Sequence, residues 1–332
     1  MHSLKLLEQL RYPTGLFAAA AQDVGTGYNR VWLRDNVYAA LGFEAAGRIK
    51  DVVKTYHALL DILIKHDYKI DWMIREPNPK HTHRYIHARY DPLTGEEILE
   101  EWGNKQNDAV GAILFKIGDL EKRGIKVVRD KSDLAIIQKL VRYLTAIEYW
   151  HDADSGMWEE NEEIHASSVG ACVAGLIAVS HLVEVPNWLI AKGFATLNTI
   201  LPRESLTKEV DLALLSLIYP YDVVTSGQRD AILRNVETRL LREKGVIRYE
   251  GDQYYNDGRG EPAWTMGLPW LAIIYKRLNL PKKYAFYMRK AVEAQNAKGE
   301  LPELYFADST EHNANTPLGW AQSLYLVAEM GN

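Results

Sequence analysis

The apolar positions of this chain recur mostly at helical spacing, and the segments they mark are of two kinds. Such segments run near 2–10, 34–48, 49–67, 105–121, 131–150, 165–184, 186–198, 208–218, 226–242, 262–279, 281–297 and 316–330. The even-numbered ones are apolar nearly all round and rich in small residues. They read VYAALGFEAAG (37–47), AVGAILF (109–115), SSVGACVAGLIAVSHL (167–182), LALLSLI (212–218), GLPWLAIIY (267–275) and GWAQSLYLVA (319–328). A helix with no polar face must be buried on every side. The odd-numbered ones are amphipathic. Within 130–150, Leu134, Ile137, Val141, Leu144 and Ile147 make one stripe, with Lys131, Gln138, Lys139 and Arg142 off it.

Six buried helices alternating with six half-exposed ones predict an all-α fold, an (α/α)6 barrel with an inner ring wrapped by an outer one. A helical solenoid offers the same alternation, but no fixed-period repeat is visible. The best strand candidate is HRYIHARYD (83–91), expected as a small hairpin arm. No Gly/Ser- or Pro-rich linker divides the chain, so residues 1–332 are expected to form one domain.

In such a barrel all inner helices run the same way, and the loop before each opens on a shared mouth. The unusual residues sit in those loops: GYNRVWLRDN (27–36), EEWGNKQND (100–108), SGMWEENEE (155–163), GVIRYEGDQYYNDGRGEPAW (245–264) and GELPELYF (299–306). Each contributes Trp or Tyr together with Arg, Asp or Glu. The loop before the eighth helix, PRESLTKEVD (202–211), is less distinctive. Composition points the same way, with nine Trp and nineteen Tyr against six Phe. A flat apolar ring with a hydrogen-bonding edge suits a sugar, and clustered on one rim such residues suggest a carbohydrate pocket.

The remaining bulk features exclude classes rather than add them. A net charge of -5 without a basic stripe gives no reason to expect nucleic acid or an anionic membrane as partner. The lone Cys172 lies in an apolar run and reads as a small core residue. The N-terminus MHSLKLLEQLRYPTG is too short and charged for a secretory signal, and no charge-free apolar stretch approaches ~20 residues. A cytoplasmic location is the expectation. His81, His83 and His87 in HTHRYIH fit no closed zinc pattern and are assigned to a loop arm over the pocket, so no metal is expected.

Cleavage of a glycosidic bond needs one carboxyl to protonate the leaving oxygen and a second to activate water or attack the sugar. Glu159 and Glu160 follow Trp158 at what reads as a helix start. An apolar neighbour raises a carboxyl pKa, as an acid at neutral pH requires. The alternative is that the pair is there because a helix N-terminus favours acids. Glu303 follows Pro302 between Leu301 and Leu304, and a structural hydrogen bond at a helix entry is its alternative.

WLRDN (32–36), WGNKQND (102–108), WEEN (158–161), IRYEGDQYYN (247–256) and LPEL (301–304) occur in the order seen in the glucoamylases of glycoside hydrolase family 15, and the resemblance spans about residues 11–330. The sequence is similar also to the glucoamylase-like domain of the phosphorylase kinase α and β subunits, with HASSVG (165–170), LPELYF (301–306) and WAQSLY (320–325) close to that branch. The first resemblance implies an inverting, exo-acting hydrolase of α-glucosidic bonds on an (α/α)6 barrel, without metal or organic cofactor, acting on a small saccharide. It implies Glu159 as general acid and Glu303 as general base, separated by roughly 6.5–9.5 Å to admit a water.

Arg34 and Asp35 resemble the pair gripping the terminal glucose, and Arg248 the arginine on that sugar's other hydroxyls. Tyr28 resembles the tyrosine beneath the reacting ring and Trp102 the tryptophan beside the acid. Glu160 resembles the carboxylate facing the next sugar. Trp32 opens the WLRDN motif and Trp264 ends the loop 245–264, and both are taken as substrate-binding. Glucoamylases usually carry Ala-Glu-Gln at the base, whereas this chain has Pro-Glu-Leu, the kinase-subunit form. The β-sandwich and starch-binding module of other members are not seen, which favours short soluble saccharides. The second resemblance implies a non-catalytic, sugar-binding regulatory barrel, and a trehalase-like hydrolase also fits.

Overall fold

The computed structural model describes residues 2–77, 84–100 and 104–331. Its α-helices are α1 (His2–Leu10), α2 (Leu33–Ala45), α3 (Ile49–Lys65), α4 (Asp67–Arg75), α5 (Asn107–Lys122), α6 (Lys131–Ala146), α7 (Ala166–Val179), α8 (Asn187–Ile200), α9 (Ser226–Asn235), α10 (Gly267–Arg277), α11 (Pro281–Glu293) and α12 (Gly319–Met330). A 3-10 helix (Leu212–Leu217) lies between α8 and α9, and a π-helical turn (Val236–Leu240) continues α9.

The inner ring closes. α2 packs on α5, α5 on α7, α7 on the 3-10 helix, the 3-10 helix on α10, α10 on α12, and α12 back on α2. Closure makes this an (α/α)6 barrel rather than a solenoid, and the outer helices each lean on that ring: α1 on α12, α3 on α2, α8 on α7 and α11 on α10. Burial follows the two sequence patterns. All of α7 except Ile177 and Ala178 is buried, whereas α3 buries one face through Val52, Tyr56, Leu59, Leu60 and Leu63.

Small residues set the tightest crossing in the ring. A Cβ on Gly111 of α5 would lie 2.4 Å from the carbonyl carbon of Ala171 in α7. One on Gly175 would lie 2.6 Å from the Gly111 oxygen. The two backbones touch, and nothing larger than hydrogen fits between them. Buried Cys172 sits in this contact, its Sγ 3.4 Å from the Asn107 carbonyl.

Helix starts are fixed locally. Asp130 accepts from the backbone of Ser132 and Asp133 to open α6, and Thr225 with Gln228 forms a capping box for α9.

Several boundaries differ from the apolar pattern. Of the run 208–218 only Leu212–Leu217 is helical, as a 3-10 helix, bounded by the Asp211 side chain that caps Ala213 N–H at one end and by Pro220, which has no N–H, beyond the other. The 226–242 segment changes to a π-helical turn at Val236. α4 continues past the break at His66, where the 49–67 reading stopped. Of the 83–91 strand candidate, His83 lies outside the described residues, and among 84–91 a strand forms at Arg89–Tyr90 (β2), paired antiparallel with Val31–Trp32 (β1). A second two-residue pair, Ala263–Trp264 (β3) with Leu304–Tyr305 (β4), starts where a helix was expected. These ribbons hold the chain just before α2 and α10 and just after Glu303. Among the described residues no helix is long and apolar enough to cross a membrane.

Candidate active site

A cavity of about 280 Å³ opens at the N-terminal ends of the inner helices. Four loop-to-helix junctions build it. Tyr28, Trp32, Arg34 and Asp35 come from the entry to α2, and Met157, Trp158, Glu159 and Glu160 from the loop before α7. Arg248, Tyr254, Trp264 and Met266 precede α10, while Glu303, Leu318 and Trp320 surround the entry to α12. The structure thus brings nine of the ten residues singled out from sequence into one cavity. The tenth, Trp102, lies outside the described residues.

The two outstanding glutamates sit in different settings. Glu159 is not at a helix start: it lies in a turn seven residues before Ala166, the first residue of α7, so no helix dipole accounts for it. Its φ of +61° is left-handed, a conformation that costs a residue with a Cβ about 1–3 kcal/mol and persists only where the surroundings impose it. A charged neighbour stands beside it. Arg34 Nη2 donates to Glu159 Oε1 at 3.4 Å, while the Trp158 indole N–H turns away to Asp211 Oδ1 at 2.8 Å. Arg34 is buried and forked: Nη1 donates to Gln106 Oε1 at 2.8 Å and to Asp108 Oδ2 at 3.2 Å, both from the entry to α5.

Glu303 is 1% exposed, flanked by fully buried Leu301 and Leu304, and stands well before α12 rather than at a helix entry. Burial pushes its carboxyl up, against Asn315, Tyr28, Asn313 and the charge of Arg248. Asn315 Nδ2 donates to Oε2 at 2.7 Å, Asn313 Nδ2 donates to the same oxygen, and Thr26 Oγ1 orients Asn315 by donating to its Oδ1 at 2.6 Å. The Tyr28 hydroxyl lies 2.9 Å from that of Tyr254.

Asp35, in the first turn of α2, is pushed up to about 7. Burial is the main cause. Arg34 opposes it, and the charges of Glu159, Glu303 and Asp108 add to it.

Glu160 and Arg248 are already engaged with protein. Glu160 Oε1 accepts from Arg248 Nη2 at 2.8 Å, and Oε2 accepts from Tyr249 Oη at 2.6 Å and Lys208 Nζ at 2.7 Å. Burial raises the Glu160 carboxyl, but Arg248 and Lys208 more than offset this and leave it below its ordinary value. Arg248 Nε also donates to Asp252 Oδ2 at 2.7 Å, and the guanidinium lies 4.9 Å from the Trp264 ring centre and 5.0 Å from that of Tyr254. Trp158, Trp264 and Trp320 form a continuous aromatic wall, with centroids 5.7 Å and 6.3 Å apart on either side of Trp158.

The cavity therefore gathers aromatic rings, four carboxyls and two guanidiniums, a set able to hold a polyol and to move a proton at it. Sequence reasoning missed Trp320, Tyr254, Asn313 and Asn315. Trp320 was read as part of a buried helix, and the asparagines lie in HNANTP, a segment with no aromatic or charged cluster to draw notice. His87 is buried against the backbone of Arg89, while His81 and His83 lie outside the described residues. Among the described residues no His, Cys, Asp and Glu group is arranged to hold a metal ion.

Fold and cavity together define a barrel of the glycosidase type. The chain belongs to the glycosyl hydrolases family 15, whose sequence profile matches residues 1–186, more than half of the 332. It is 26% identical over 373 aligned positions to the skeletal muscle isoform of phosphorylase b kinase regulatory subunit alpha from Oryctolagus cuniculus, covering 90% of this chain and 30% of that protein. The liver isoform from Mus musculus is 27% identical, with 96% and 31% covered. The chain thus spans about a third of the length of these curated relatives. Among solved structures, a wild-type glycosidase superposes with a TM-score of 0.83 at 19% identity, covering 98% of this chain and 94% of the other. A bacterial glucoamylase complexed with acarbose gives 0.75 at 15% identity, covering 99% and 54%. At such identities the likeness is one of fold.

Proposed function

We propose that this protein is an inverting hydrolase that removes glucose from the ends of short α-glucosides, with Glu159 as general acid and Glu303 as general base. The observation that carries the reading is that both glutamates line one aromatic-walled cavity with Arg34, Asp35 and Arg248. A terminal glucose would lie against the tryptophans, with Arg34 and Asp35 on its outer hydroxyls. Glu159 would protonate the glycosidic oxygen. Glu303, whose Oε2 is held by two asparagine amides, would take a proton from the attacking water with its other oxygen. Tyr28, Trp32, Trp102, Glu160, Arg248 and Trp264 would shape the sugar subsites. No metal or organic cofactor enters this chemistry, and the chain would act as one domain.

A second reading is favoured by the sequence relatives, which are regulatory subunits. On it the same cavity binds a glucan end without cleaving it. A panel of maltose, maltotriose, isomaltose and trehalose offered to wild type and Glu303→Gln separates the two. Hydrolysis by wild type that falls about 10²–10⁴-fold in the variant supports the enzyme. Binding without turnover on the whole panel supports the regulatory barrel.

A further inference from the structure

The loop that carries Glu159 is closed at its base by a pair of backbone hydrogen bonds, Asp154 N to Glu163 O at 2.9 Å and Glu163 N to Asp154 O at 3.0 Å. Its underside rests on the imidazole of His165, which is 3% exposed. A Cβ at Gly156, in the middle of the contact, would sit 2.8 Å from His165 Cδ2 and Nε2, and Gly156 itself has a φ of +64°. The chain lies flat on the ring because that position has no side chain and can adopt a left-handed conformation.

Both ring nitrogens of His165 face acceptors. Nδ1 lies 3.4 Å from Glu204 Oε1, and Nε2 lies 3.4 Å from the carbonyl oxygen of Asn161, within the loop. A carboxylate and a carbonyl only accept, and a neutral imidazole carries a single N–H, so only the doubly protonated ring can donate to both. The charged groups around it are Asp154 and Glu163 at the loop base, Glu204 from the segment after α8, and Lys208. Three carboxyls thus surround the ring with one ammonium. Burial alone would lower the imidazole pKa, but Glu204 and Asp154 outweigh it and hold it at about 9.

We propose that His165 is a positioning residue of this site. Its imidazolium ties the Glu159 loop to Glu204 and so fixes the Glu159 carboxyl against Arg34. The kinetic consequence rests on the reading of Glu159 as the acid, whereas the tie itself does not.

The test uses the intact protein with ¹⁵N-labelled histidine. NMR near neutral pH is expected to show both His165 nitrogens protonated. In His165→Gln, amide exchange of Glu160 and Glu163, whose N–H groups close the loop, is expected to quicken at least ~10-fold. On the substrate that wild type cleaves, kcat is expected to fall at least ~10-fold with KM changed less than ~3-fold. Glu204→Gln keeps the ring in place and should lower the pH at which His165 loses its second ring proton by about one unit or more, read from the same nitrogen signals, which tests the same tie if His165→Gln does not fold. A neutral His165 ring near pH 7, or a folded His165→Gln protein with unchanged loop exchange, overturns the proposal. If wild type cleaves no α-glucoside, the hydrolase reading fails alone, and the protonation and exchange measurements still decide the tie.

Discussion

Asp35→Asn should stabilise the protein, and increasingly so as the pH rises. Asp35 is half-buried on α2, lining the cavity within the field of Glu159, Glu303 and Asp108, with Arg34 as its counter-charge, and its carboxyl is pushed up from 3.8 to about 7. The folded pKa therefore lies above the unfolded one. Stability from the protonated group is fully present below about pH 4 and is lost as the pH rises through about 7, where the folded chain must ionise it. Asparagine has nearly the same shape and no charge to lose. Between pH 5 and pH 8 the stability difference between variant and wild type should thus move in the variant's favour by about 2–3 kcal/mol, then level off. Asp154 and Asp211, also held at about 7 by burial, are present in both proteins and cancel from the difference. Urea unfolding of the two proteins at pH 5, 6.5 and 8 measures the quantity directly. The variant should also bind glucose or a glucose analogue more weakly, by about 1.5–3 kcal/mol for a lost charged hydrogen bond. An offset that stays constant with pH, or that turns against asparagine at pH 8, would refute the argument that Asp35 is kept ionisable at the expense of the fold.

Gly111→Ala places a methyl 2.4 Å from the Ala171 backbone and should destabilise the protein by about 1–3 kcal/mol, even though alanine is the better helix former. Gly227→Ala on α9, where a methyl meets nothing within 4 Å, should instead be neutral or stabilising by up to about 1 kcal/mol in the same denaturation assay. Lys208→Met removes a donor to Glu160 and should cost about 1.5–3 kcal/mol at pH 7. Because the Glu160 carboxyl is held below its ordinary value, that cost should shrink as the pH falls through its titration, which acid unfolding curves of the two proteins would record.

The ring was legible in the sequence because an inner helix has no solvent side. α7 and α5 had to carry small or apolar residues all round, and that pattern differs visibly from the one-sided stripe of α6. What pattern could not supply was local geometry. LALLSLI has helical spacing, but the Asp211 cap and Pro220 beyond it bound the segment to the short length at which 3-10 helices occur. Two-residue strands such as Ala263–Trp264 are too short to show any period and exist only because Leu304–Tyr305 lies beside them. The cavity was legible wherever an acid or arginine stood next to an aromatic residue in a loop, as at Arg34, Glu159 and Arg248. Contacts made across the fold were not. Nothing near Glu303 in LPEL announces that Asn313, Asn315 and Tyr28 will hold its carboxyl, and nothing in WEEN announces that Glu159 meets Arg34 from α2.

Inversion requires the two glutamates to act on opposite faces of one sugar. Proton NMR of the first glucose released tests it most directly, using wild type, Glu159→Gln and Glu303→Gln on whichever α-glucoside of the panel is cleaved. β-Glucose is expected as the initial product of wild type, and turnover is expected to drop about 10²–10⁴-fold in each variant with saccharide binding retained. Release of α-glucose first, or full activity in Glu159→Gln, would contradict it.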